Sequence, residues 1–144
     1  MFNIGEMADE LQQELSWQST PTPVYPEDFT KIIVQAIKKF YVDVNHPSEY
    51  DRTLFITDEN NQVCYDRDFD VVQEEYIKIL CMLLFKRKIF TDVAGDGAVS
   101  YTTDALSVTG AKEAYKSIQQ EIDDLELERI RVFHKMMARD TNEA

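Results

Sequence analysis

Over the last third of this chain, apolar residues recur in alternating steps of four and three: Ala111, Tyr115, Ile118, Ile122, Leu125, then Val132 and Met136. Arg129 fills the one place in the series where another apolar residue is due. Steps of four and three bring side chains back to the same side of an α-helix, so the series is one stripe made for packing on a second helix. The spacing predicts a helix from near Ser107 or Thr109 to about Arg139. The rest of the chain must supply its partner, because most helical stability in a protein comes from packing an apolar face.

That partner is legible upstream. Tyr76 to Phe85 is apolar almost all round, as in a helix enclosed by others. A third helix is expected from about Phe69 to Phe90, with Lys86, Arg87 and Lys88 closing it where the dipole favours cations. Ala94-Gly-Asp-Gly97 reads as a break, and Ala98 to Tyr101 as a short strand. A second helix opens at Pro26, with Glu27 and Asp28 in its first turn. Phe29, Ile32, Ile33, Ala36, Ile37, Phe40 and Val44 mark its buried face, and Asn45-His46-Pro47 ends it. A first helix over 3–16 follows from Ile4, Met7, Ala8, Leu11 and Leu15, with Asn3 as its cap. Between these two, Pro21, Pro23 and Pro26 forbid helix and favour extended backbone.

From 52 to 67 the period changes. Arg52 to Thr57 and Gln62 to Asp66 are rich in β-branched and aromatic residues, and Asp58-Glu-Asn-Asn61 between them is turn chemistry, so a hairpin is expected. The fold class is therefore mainly α: a small bundle of about four helices with one β-hairpin near 52–67 and a long C-terminal helix. The prolines divide it into an N-terminal helix and proline-rich arm, 1–25, and a helical domain, 26–144.

Fifteen Lys and Arg stand against 27 Asp and Glu, a net charge of −12. Such a surface repels phosphates, which argues against sequence-specific nucleic-acid binding and against an anionic membrane. The longest apolar run, Ile79 to Phe85, falls far below the roughly 20 residues of a membrane span. The first 16 residues carry four acids and no Lys or Arg, unlike a secretory signal. Cys64 and Cys81 fall in apolar surroundings and read as reduced core thiols, with a disulfide as the alternative.

The chain lacks the residue patterns of the common catalytic and metal sites. Asp66-x-Asp68-x-Asp70 lacks the Gly and Glu of a calcium loop and reads as a solvated turn that caps the third helix. His46 and His134 are far apart, and no serine or cysteine sits in a nucleophile arrangement. Gly95 and Gly97 lack the companions of a phosphate loop. No enzyme, cofactor or metal site is expected.

Surplus binding surface is the stronger signal. Leu127, Ile130, Phe133 and Met137 form a second stripe on the last helix, beside the basic stretch Arg129 to Arg139, which holds four cations and no acid. With Arg129 they make the expected partner-binding set, joined by Leu11, Leu15 and Trp17 on the N-terminal arm. The acids lie earlier: residues 1–50 and 51–110 each carry a net −5, against −2 for 111–144. An acidic face meeting a basic helix end suits a head-to-tail oligomer.

The order of elements, and Ser100-Tyr-Thr-Thr-Asp-Ala-Leu-Ser-Val-Thr-Gly110 leading into a charged amphipathic helix, resembles the head–tail connector (adaptor, neck) proteins of tailed bacteriophages. The resemblance covers roughly residues 26–138. It implies a non-enzymatic virion subunit in the neck, made in the host cytoplasm. It further implies a ring, dodecameric in that family, that joins the portal protein to the next neck or tail protein. Residues 1–26 depart from the layout and suit a clasp onto a neighbouring subunit or the portal. Two other readings stand beside it: an acidic binding module that inhibits by imitating DNA charge, and a small helical regulatory protein.

Overall fold

The computed structural model describes the chain path over residues 1–16, 26–100 and 105–143, and side chains over 1–14, 29–88, 116 and 119–138. Among the described residues, four helices and a three-stranded sheet make up the fold: β1 (Phe2–Asn3), α1 (Ile4–Ser16), α2 (Pro26–Asp43), β2 (Phe55–Thr57), β3 (Val63–Tyr65), α3 (Val71–Ser100) and α4 (Ala105–Glu143). Two single 3-10 turns, Pro47–Glu49 and Arg52–Leu54, join α2 to β2. This is the mainly helical bundle with a long C-terminal helix that the periodicities anticipate.

The helix ends follow from local chemistry. Asn3 Oδ1 accepts the Glu6 N–H at 3.0 Å and caps α1. Asp70 Oδ1 accepts the Gln73 N–H at 2.8 Å while Gln73 Oε1 accepts the Asp70 N–H at 3.0 Å, a reciprocal box that starts α3. At the end of α2, Asn45 takes a positive φ of 62°. The His46 N–H then reaches the Tyr41 carbonyl at 2.8 Å and the Asn45 N–H reaches Val42 at 3.0 Å, which satisfies two otherwise free carbonyls.

The sheet has the order β1-β3-β2, antiparallel throughout, with Phe55, Ile56 and Thr57 opposite Tyr65, Cys64 and Val63. The hairpin turn is tied by Asp58, whose Oδ1 accepts from the Asn60 and Gln62 N–H groups. β1 pairs Phe2 with Tyr65 and Asn3 with Cys64. Two residues are too few to show an alternating pattern, so this strand was invisible in the periodicity.

One core runs through the molecule. Ile33, Ala36 and Ile37 of α2, Tyr76, Ile77, Leu80 and Leu83 of α3, and Ile122, Val132 and Met136 of α4 are all buried. α3 lies between α2 and α4. Tyr76 touches Phe133, whereas Arg87 pairs with Glu126, so α3 and α4 run antiparallel. Phe69, placed in the third helix by its sequence pattern, sits just before α3. It gathers the Phe2, Phe40, Tyr41 and Tyr65 rings around it at centroid separations of 5.4 to 6.3 Å.

Three expectations are corrected. The prolines do not set the first helix apart from the body of the fold: Ile4 and Leu11 are 0% and 1% exposed, in the same core as α2 and α3. Lys78 of α3 holds its acidic side through Glu14 at 2.5 Å and Glu10 at 3.8 Å. Prolines between two helices decouple their backbones and leave their apolar faces free to pack together. The break at Ala94–Gly97 and the strand from Ala98 do not form, since α3 continues to Ser100. Each glycine costs a helix about 1 kcal/mol, a penalty that does not forbid it. Lys86, Arg87 and Lys88 consequently lie inside α3 instead of closing it.

Candidate functional site

The outward face of α4 carries two exposed apolar side chains one turn apart, Leu127 and Ile130, at 68% and 43% exposure. Positions 123, 127, 130, 131 and 134 share this side through steps of three and four, and Asp123, Arg131 and His134 are exposed with them. Lys135 and Asp124 flank it, also exposed. Within the face, Arg131 pairs with Glu128 one turn back, and that bond holds the Glu128 carboxyl below its ordinary range.

The other members of the expected partner-binding set divide sharply. Phe133 and Met137 turn back toward the bundle and are half-buried against the core. Leu11 is a core residue and offers no surface, because its helix packs on α2. The Leu15 side chain and Trp17 lie outside the described residues. Arg129 is committed within the molecule. Its Nη1 donates to the Tyr76 hydroxyl at 3.3 Å and its Nε to Glu126 Oε2 at 3.0 Å. Tyr76 in turn donates to Asp43 Oδ2 at 2.6 Å, and Arg87 donates to the far oxygen of Glu126. This chain of charge-assisted bonds fastens α2, α3 and α4 together, and it explains a cation in the middle of a packing seam. Burial, with the Asp43 bond, pushes the Tyr76 phenol up to about 12.

Lys86 is a second inward cation. It is 1% exposed, and its Nζ lies 2.8 Å from Glu121 Oε2 of α4. The approach lies outside hydrogen-bond geometry, so the contact is an ion pair, and among the described residues the ammonium makes no well-aligned hydrogen bond. Nothing in the sequence distinguished Lys86 from its neighbours, because a cation beside two others reads as surface.

A cleft of about 270 Å³ opens where α2 ends against the start of α3 and the last turns of α4. Phe40, Tyr41, Val44, Phe69, Met136 and Met137 line it, with His46, Glu49, Arg67, Asp68 and Gln73 among them. Asp68 is tied to the N-terminal amine. Periodicity could not find the cleft, since it is assembled from three distant segments.

The reactive groups sit in structural roles. Cys64 and Cys81 are buried, unbonded to each other, and burial raises both thiols. Asp70 of the acidic turn caps α3. Among the described residues, no group of three or more His, Cys, Asp or Glu side chains is placed to hold a metal ion, and no helix is long and apolar enough to cross a membrane. No protein-family model, curated protein or solved structure matches this chain.

Proposed function

We propose that this chain is a non-enzymatic assembly subunit that acts through the outward face of α4, as a head–tail connector joining a ring beneath a phage portal. One observation carries the reading: Leu127 and Ile130 stand exposed together on a helix whose opposite side packs into the core through Ile122, Val132 and Met136. The neighbouring positions support the reading. Phe133 and Met137 turn inward and Arg129 is satisfied by Tyr76 and Glu126, so the apolar pair is left over after the fold is complete. Exposed apolar side chains that are grouped, not scattered, mark contact surfaces.

The connector form of the reading comes from element order and from the segment 100–110. An inhibitor imitating DNA would line its carboxylates along one side. Here Glu121, Glu126 and Glu128 are each engaged by a cation of the same molecule. Mixing the chain with purified portal rings and measuring mass by light scattering tests the proposal. Several copies per portal ring are expected, and a chain that stays monomeric beside the portal overturns it.

A further inference from the structure

Over residues 121–139 the charges on α4 fall in two blocks. Glu121, Asp123, Asp124, Glu126 and Glu128 come first with no Lys or Arg among them. Arg129, Arg131, Lys135 and Arg139 follow with no acid among them, and His134 lies within this block. The boundary falls between Glu128 and Arg129, which is also the midpoint of the exposed apolar pair Leu127 and Ile130. Exposed to solvent are Asp123 and Asp124 before the pair, each accepting one amide N–H from Gln119 or Gln120 and keeping its second oxygen available outward, and His134 and Lys135 after it.

This placement decides which contacts are open to two such helices. Parallel and in register, two copies set acid against acid and base against base. Parallel with a shift of about eight residues, roughly 12 Å along the axis, acid meets base but the apolar pairs no longer coincide. Antiparallel about the block boundary, Leu127 of each copy meets Ile130 of the other. Asp123 and Asp124 of each copy then face His134 and Lys135 of the other. Only this arrangement matches the apolar pair and both charge blocks together. It is a two-fold contact, with the same patch used on both sides.

We infer that the outward face of α4 binds a second copy of this chain as an antiparallel, two-fold helix pair. The inference rests on reading this face as a contact surface, and it identifies the occupant before any portal is present. The face of one helix is smaller than the roughly 800 Å² per partner of a stable complex. The pair is therefore weak, forming at micromolar concentrations or above, which lets a stronger partner displace it.

Sedimentation equilibrium of the full chain, from micromolar to several hundred micromolar, reads the pair directly. The wild type is expected to fit a monomer–dimer equilibrium, and Leu127→Asp to raise the dissociation constant at least tenfold with an unchanged melting midpoint. Two charge variants fix the direction. Asp123→Lys with Asp124→Lys makes one all-basic face, and Arg131→Glu with Lys135→Glu makes one all-acidic face. Each alone is expected to stay monomeric, and a mixture of the two to form a heterodimer. A wild type monomeric throughout the range overturns the inference, as does self-association that Leu127→Asp leaves intact. So does a mixture of the charge variants that fails to pair. Because no portal is present, these outcomes are independent of whether the chain loads onto one.

Discussion

Lys86 offers the sharpest test of how α3 and α4 are held together, because removing either half of its ion pair should move stability in opposite directions. Its ammonium is 1% exposed while Glu121 remains 39% exposed, so nearly all the desolvation cost falls on the lysine. Moving an ion out of water costs several kcal/mol even after relaxation. At 2.8 Å the attraction is about 6 kcal/mol with the effective dielectric suited to such sites. The two terms nearly cancel, and the lack of a well-aligned hydrogen bond to the ammonium among the described residues adds a further cost. Lys86→Met keeps the unbranched side chain to within one atom of its length and removes the charge. It is expected to leave stability unchanged or raise it by about 1–2 kcal/mol, as when buried pairs are replaced by apolar residues. Glu121→Gln leaves the buried ammonium unpaired. Stranding a buried charge costs about 3–5 kcal/mol. Since Glu121 is partly hydrated, about 2–3 kcal/mol is expected. Urea denaturation with matched slopes separates the two. The reasoning is refuted if Lys86→Met destabilises as much as Glu121→Gln, or if Glu121→Gln costs nothing.

Other consequences can be measured on the same footing. Leu11→Ala should cost about 2–4 kcal/mol in chemical denaturation, since its side chain is fully enclosed; a loss under 0.5 kcal/mol, of the order of a surface change, would mean that the first helix is not part of the core. Tyr41 and Tyr76 are both raised to about 12 from an ordinary 10, chiefly by burial. The folded state therefore holds their protons more tightly, and stability should stay level to pH 10 and fall from there to pH 12. A urea midpoint that is flat through pH 11 would contradict this. Val132→Asp buries a carboxylate at a fully enclosed position and should prevent folding, whereas Leu127→Asp should leave the melting midpoint unchanged. Equal losses in circular dichroism melts would remove the distinction between the two sides of α4.

Much of this arrangement was readable from spacing alone. The buried side of α2 was read correctly at Phe29, Ile32, Ile33, Ala36, Ile37 and Phe40, because a 3.6-residue period reports which side is enclosed. The hairpin was readable because Asp58 to Asn61 is strong turn chemistry. Other features depend on what meets what. Leu11 and Leu127 are both leucines on amphipathic helices, and only tertiary packing makes one core and the other surface. Lys86 and Arg129 looked like surface cations, since sequence does not show that Glu121 and Tyr76 arrive opposite them. The exposed pair at Leu127 and Ile130 was legible because it falls off the main stripe. Its neighbours Phe133 and Met137 share the stripe in sequence, and only the packing shows that the bundle covers them in part.

The most direct test of the central claim is to compare the wild-type chain and a Leu127→Asp/Ile130→Asp double variant for mass bound to purified portal rings. The wild type should load several copies onto each ring. The double variant, folded with an unchanged melting midpoint, should load few or none. Equal loading by the two proteins, or none by the wild type, would contradict the assignment of this face as the assembly surface.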